Sequence, residues 1–242
     1  MRKILLFVAA TLVATHAQAA VVWTYDGQKN GQEDWGTLAP EYGKCSIGSQ
    51  QSPVSVSVTK LEKLPALQFV YPSGKAQFSL DRYSVVAQAG KSGKLTEGTN
   101  TATLKEMLVR SPSEHDIQGK FTPLELQLTH ALADGKLVIV SVFVTEGRSN
   151  LALQTLIDHF PKAVNDKPSA TLDWQLLLPG TFDYYAYSGS LSTPPCTEGV
   201  EWRILKTPIE ASKDQIRAIS QKLGRNARLP QPLLMRTVRE SE

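Results

Sequence analysis

From Val54 to Thr145 the chain returns repeatedly to one pattern: short segments in which apolar and polar residues alternate, or β-branched residues run together. Val54–Val58, Leu67–Tyr71, Tyr83–Gln88, Leu104–Arg110, Leu124–His130 and Leu137–Thr145 all read this way. Successive side chains of a strand point to opposite faces, so a period of two marks strands with one face turned inward. Pro72-Ser73-Gly74, Lys91-Ser92-Gly93 and Asp134-Gly135 punctuate the pattern as turns. Two stretches carry helix signals instead. Asn150 is placed to cap a helix over Leu151–Phe160 that Pro161 ends, and Ser212 to cap Lys213–Leu223, which Gly224 ends. Many strands with few helices predict a β-dominated α+β domain built on one large sheet. No repeat and no low-complexity linker divides it.

The N-terminus reads separately. Arg2 and Lys3 precede an apolar run over Ile4–Val13, and Ala17-Gln18-Ala19 supplies a small-x-small cleavage pattern. Together they predict a secretory signal peptide over residues 1–19. The run is too short to span a bilayer, which takes roughly 20 apolar residues. Residues 20–242 then form a single domain, a size that large β folds reach undivided. We expect a periplasmic or secreted protein with no transmembrane segment after cleavage. The full chain has 26 Lys and Arg against 23 Asp and Glu. Losing Arg2 and Lys3 brings these close to balance, which argues against a nucleic-acid partner. The two cysteines are Cys45 and Cys196. In an exported protein, two thiols far apart in sequence form a disulfide more often than a metal pair.

The C-terminal half contains Tyr184-Tyr185-Ala186-Tyr187-Ser188-Gly189-Ser190-Leu191-Ser192-Thr193-Pro194-Pro195-Cys196-Thr197-Glu198-Gly199-Val200-Glu201-Trp202. This resembles the YxGSLTTPPCxExVxW loop of α-class carbonic anhydrases. Trp23-Thr24-Tyr25, Trp35, Leu38, Cys45 and Gly48-Ser49-Gln50-Gln51-Ser52-Pro53-Val54 resemble the family's N-terminal pattern. Ser111-Pro112-Ser113-Glu114-His115 is similar to its SEH segment, Glu125-Leu126-Gln127-Leu128-Thr129-His130 to its ELHLVH strand, and Asn226 through Arg236 to NxRPxQPLNxR. Five motifs in the family's order cover nearly all of residues 20–242. The resemblance implies a ten-stranded, mostly antiparallel twisted sheet with peripheral helices and a deep cleft. It also implies a bond between Cys45 and Cys196.

Zinc hydration chemistry needs three neutral imidazoles and one open position for water, whose pKa the metal lowers to roughly 7. The family draws an H-x-H pair from one strand and a third histidine from its neighbour. Counted back from Ser111-Pro112-Ser113-Glu114-His115, the pair falls on Leu108 and Arg110, and the third position on Gln127. Leucine offers no donor atom, arginine brings a fixed positive charge, and glutamine is a weak neutral ligand. No cofactor is therefore expected here, although the family uses zinc. Of the four histidines, His16 lies in the leader. The resemblance makes His115 and His130 structural core residues, and His159 falls on the first helix beside Phe160. The family's second-shell glutamine corresponds to Glu106 and its proton shuttle falls near Tyr83, where a phenol is a poor relay at neutral pH. Its hydroxide-orienting threonine corresponds to Ser192, expected to bond to Glu114. Glu114 and Ser192 are thus vestiges of the catalytic set.

Period-two geometry places Glu106, Leu108 and Arg110 on one face, and the resemblance implies that Glu125, Gln127 and Thr129 lie on the cleft side of the partner strand. The resemblance gives Glu125 the task of orienting the third histidine. Without a metal that buried carboxylate needs another cation, so Arg110 is expected to pair with Glu125, Glu106 or both. Trp202, Leu191 and Ile139 match the apolar wall where the family holds carbon dioxide, and read here as core or cleft packing. The residues expected to face a ligand are Arg110, Glu106, Glu125, Gln127, Thr193 and Trp202. The expected function is a catalytically inactive carbonic-anhydrase-like binding module whose partner is an unidentified protein or a surface glycan. Two alternatives stand beside it: carbon dioxide hydration or hydrolysis through a non-standard metal site, and a small-anion binder centred on Arg110.

Overall fold

The structure is a computed structural model that describes residues 21–25, 27, 29–81, 83–90 and 93–242. The leader expected over residues 1–19 lies outside them, as do Lys91 and Ser92 of one expected turn. Among the described residues thirteen strands form one sheet. From edge to edge its main path runs Ser169–Leu172, Gly74–Asp81, Ser84–Ala89, Asn100–Arg110, Leu124–Ala131, Leu137–Glu146, Glu198–Leu205, Tyr184–Ser190, Val238–Ser241 and Thr59–Glu62. Neighbours are antiparallel except Leu137–Glu146 with Glu198–Leu205, and Val238–Ser241 with Thr59–Glu62. Leu67–Val70, Lys94–Glu97 and Ile209–Ala211 join off this path, while Ser55–Val56 and Asp116–Ile117 form a small parallel pair. This is the β-dominated, mostly antiparallel architecture that the sequence predicted.

All six expected strands are present. The structure adds others whose pattern was faint. Gly74–Asp81 buries Ala76 and Phe78 on alternate positions, but one alanine and one phenylalanine make a weak periodic signal. Both predicted caps are found. The Asn150 side chain accepts from the Ala152 and Leu153 N–H groups, although the helix ends at Asp158, short of Phe160. Ser212 and Gln215 form a reciprocal capping box at the start of Lys213–Leu223, each satisfying a donor left open at a helix start. Among the described residues no helix is long and apolar enough to cross a membrane.

Burial explains why the central strands read as they do. Val138, Val140, Val142 and Val144 join the larger core on one face, while Ile139 and Phe143 join a second cluster with Tyr187, Trp202 and Ile204 on the other. Covered on both sides, Leu137–Glu146 reads as a nearly continuous apolar run. Leu124–Ala131 differs: Leu124, Leu126 and Leu128 enter the core, but Glu125, Gln127 and Thr129 are buried as well. A strand with a buried polar face marks the place to look for a site.

Candidate functional site

The register of two strands assembles the site. Glu106, Leu108 and Arg110 lie opposite Thr129, Gln127 and Glu125. An irregularity between Leu104 and Glu106 lets Leu104, Met107 and Val109 all reach the core and leaves the expected triplet on the other face. The three positions that the resemblance assigns to metal ligands therefore do face one another across adjacent strands.

Arg110 dominates the arrangement, with its side chain only 2% exposed. Its Nε donates to Gln127 Oε1 at 3.0 Å, and Nη1 donates to the Tyr25 hydroxyl at 2.9 Å and to Ser84 Oγ at 3.0 Å. Nη1 also reaches the Asn226 carbonyl at 3.4 Å, and Nη2 donates to Ser192 Oγ at 3.3 Å. The partner charge is Glu114, whose Oε2 lies 3.4 Å from Nε. Burial opposes the charged guanidinium, but Glu114, followed by Tyr25 and Glu125, raises its pKa above the ordinary arginine value. The expected pairing with Glu125 or Glu106 is thus corrected: the ion-pair partner is Glu114.

Glu125 has other work. Its Oε2 accepts from the Glu114 and His115 backbone N–H groups, at 2.8 and 3.0 Å. Its Oε1 meets His115 Nδ1 at 2.9 Å and accepts from Ser141 Oγ at 2.8 Å. Burial would push this carboxyl up, but the attraction and hydrogen bonds of His115, with help from Ser141, hold it at about 2. The segment after Arg110 folds back so that Glu114 takes the place next to the guanidinium. Gln127 then joins both sides. Its Oε1 faces the cation, while Nε2 donates to Glu114 Oε2 at 2.7 Å and to Glu125 Oε1 at 3.2 Å. A primary amide suits this spot because it carries an acceptor and two donors on one planar group.

The remaining expected residues are placed as follows. Ser192 accepts from Arg110 rather than bonding to Glu114, whose Oε1 takes the Arg228 backbone N–H at 3.0 Å. Glu106 is half-buried and outside this network; burial, then the Asp81 charge, raises its pKa. Thr193 accepts at its carbonyl from the Cys196 N–H. Trp202 is completely buried, its Nε1 donating to the Ser190 carbonyl at 3.0 Å, which makes it packing and not ligand surface. Ile139 shares its cluster and Leu191 packs against it. Tyr83 donates its hydroxyl to the Trp23 carbonyl. His115 Nε2 meets the Tyr187 hydroxyl, and His130 lies between Tyr71 and the Val138 carbonyl. His159 sits at the end of the first long helix, against Thr155.

Sequence reasoning missed Tyr25, Ser84, Asn226 and Arg228. Three of them stand in quoted motifs, where their presence was visible and their target was not; Ser84 carried no signal. Cys45 and Cys196 form a disulfide with a Cα separation of 5.1 Å. Arg228 braces it, with Nη2 donating to the Cys45 carbonyl at 3.1 Å and Nη1 to Gln51 Oε1 at 2.9 Å.

These donors do not fit the zinc that the resemblance implies. Zinc takes nitrogen, thiolate or carboxylate ligands with lone pairs free to converge. Leu108 has none, a guanidinium only donates, and Gln127 Oε1 already accepts from that guanidinium. Among the described residues no group of three or more His, Cys, Asp or Glu is disposed to hold a metal ion.

Residues 30–242 match the family described as eukaryotic-type carbonic anhydrase. A carbonic anhydrase from Pectobacterium carotovorum is 34% identical over 221 residues, covering 90% of each chain. The solved α-carbonic anhydrase of Photobacterium profundum superposes with a TM-score of 0.84 at 33% identity, covering 90% of this chain and 100% of that one. A structure of dioscorin complexed with ascorbate gives 0.85 at 31% identity, covering 90% and 97%. With the motifs, the sheet and these likenesses in agreement, the chain belongs to the α-class carbonic anhydrase family.

Proposed function

We propose that this is an exported member of the family that does not hydrate carbon dioxide and acts by binding. One observation carries the reading: the Arg110 guanidinium is buried between Gln127, Ser192 and Glu114, at positions where the family's pattern calls for a metal and its hydroxide. A guanidinium has no vacant coordination position and cannot lower the pKa of a bound water as zinc does. The eleven-residue strand Asn100–Arg110 and its neighbours are otherwise well packed, so the fold survives the exchange of a metal for an ion pair. The predicted leader and the disulfide support an oxidising, extracytoplasmic setting. The small-anion alternative centred on Arg110 has less support, because the guanidinium donors are already directed at Gln127, Tyr25, Ser84 and Ser192. A dioscorin structure holding ascorbate is a precedent for a small organic ligand on this fold, but the broader expectation of a protein or glycan partner remains the working proposal.

The test is metal analysis with stopped-flow hydration on the purified, oxidised protein after exposure to zinc. We expect neither stoichiometric zinc nor hydration above the uncatalysed rate. One zinc per chain together with hydration would overturn the proposal in favour of the non-standard metal site, the reading that the relatives' names favour.

A further inference from the structure

One edge of the sheet is left open among the described residues. Among these residues the last strand on the path, Thr59–Glu62, has a single neighbour, Val238–Ser241. Its outer side therefore presents backbone N–H and C=O groups with no strand to receive them, which is a template for pairing with another chain. Val58 beside it is 79% exposed and Leu61 within it is 63% exposed. The opposite edge is different. Ser169–Leu172 lies by the helix Leu151–Asp158 and exposes no large apolar side chain of its own.

Lysines and short length commonly guard an edge strand against pairing, and Lys60 and Lys63 resemble such guards. The charge order argues otherwise. In Val58-Thr59-Lys60-Leu61-Glu62-Lys63-Leu64 an antiparallel pairing about Leu61 sets Lys60 opposite Glu62 of the second copy, twice. It sets Leu61 against Leu61. Side chains directly opposite in such a pair touch, and opposite charges there stabilise. Among the described residues Lys60 and Glu62 make no ion pair within the chain, so both remain available for one.

We propose that a second copy of this chain docks on the Thr59–Glu62 strand, in antiparallel register about Leu61, to give a weak two-fold dimer with a sheet continuous across it. A contact confined to a short strand and its flanks falls at the low end of specific interface sizes, so the dimer is concentration-dependent. The edge lies six strand positions from Asn100–Arg110, roughly 29 Å at ordinary strand spacing. The proposal accordingly does not rest on the function assigned to the Arg110 site.

Sedimentation equilibrium on the mature, oxidised chain tests it. Lys60→Glu faces Glu62 with glutamate, and Glu62→Lys faces Lys60 with lysine, so each alone is expected to weaken association about tenfold or more. The double reversal, Lys60→Glu with Glu62→Lys, restores the dimer. An equimolar mixture of the two single variants forms the heterodimer, because every facing pair is then opposite in charge. Circular dichroism checks that each variant is folded, and Leu61→Arg, which leaves Lys60 and Glu62 in place, is expected to give monomer. A wild-type monomer at all concentrations, or a dimer indifferent to the single reversals, or a mixture that stays monomeric, would each overturn the proposal.

Discussion

Arg110 Nε and Glu114 Oε2 lie 3.4 Å apart, with the two side chains 2% and 0% exposed. They are four residues apart in sequence, and the chain must turn back on itself between them for the carboxylate to arrive. Their separation is slightly longer than a direct hydrogen bond because the Gln127 amide holds both, accepting from one and donating to the other. A buried pair of this kind is costly to break, since the survivor keeps its desolvation cost without its partner.

Arg110→Met is therefore expected to lower unfolding free energy by about 3–5 kcal/mol. Arg110→Met with Glu114→Gln removes both charges and should recover most of that loss. Urea denaturation at neutral pH compares them. Equal destabilisation by the single and double variants would show that the pair is not coupled.

Changing Leu108, Arg110 and Gln127 together to histidine is expected to create a zinc site with about one metal per chain. The two strands already hold these positions in register, and Glu125 already sits two residues from position 127 on the same face. Metal analysis after dialysis reads the result. No bound zinc in a folded triple variant would mean that the cleft has collapsed and no longer admits a metal.

Acid should destabilise the protein in two separable windows. His130 is held neutral by burial, its pKa lowered from 6.5 to about 4. The unfolded chain binds that proton first, so stability falls as pH drops from about 6.5 to about 4. Glu125, lowered from 4.5 to about 2, contributes stability present above about 4.5 and lost as pH falls toward 2. Replacing His130 by Asn should flatten the upper window and leave the lower one, while Glu125→Gln should do the reverse. Unfolding free energy measured across pH, variant by variant, decides this.

Reducing the Cys45–Cys196 bond releases a loop of 151 residues. Loop-closure entropy alone assigns such a bond about 5 kcal/mol. A chain of this size should then lose about 10 °C or more in melting temperature. Calorimetry with and without reductant, and on the Cys45→Ser, Cys196→Ser variant, provides the check. A melting temperature insensitive to both would show that the Arg228 contacts alone hold the two segments.

Much of the site was legible because its strands obey a local rule. Alternation placed Glu106, Leu108 and Arg110 on one face of their strand and Glu125, Gln127 and Thr129 on one face of theirs, and the family resemblance set the two faces together. The irregularity between Leu104 and Glu106 did not spoil this, since it falls before the triplet begins. Charge pairing was less legible. Glu125 is directly opposite Arg110 in register, so strand geometry pointed to it, yet two backbone N–H groups, His115 and Ser141 had already claimed both of its oxygens.

The sequence by itself determined the β-dominated class, both long helices with their caps, the family and the alternating residues of the two strands that meet at the site. Those features follow from periodicity, capping and motifs read over short spans. The tertiary structure alone decided which carboxylate meets Arg110, and which groups complete its shell. Tyr25 and Asn226 come from 85 and 116 residues away, and no local pattern encodes such meetings. They arise because a buried guanidinium must find an acceptor for each donor, and only the folded sheet fixes which ones lie within reach.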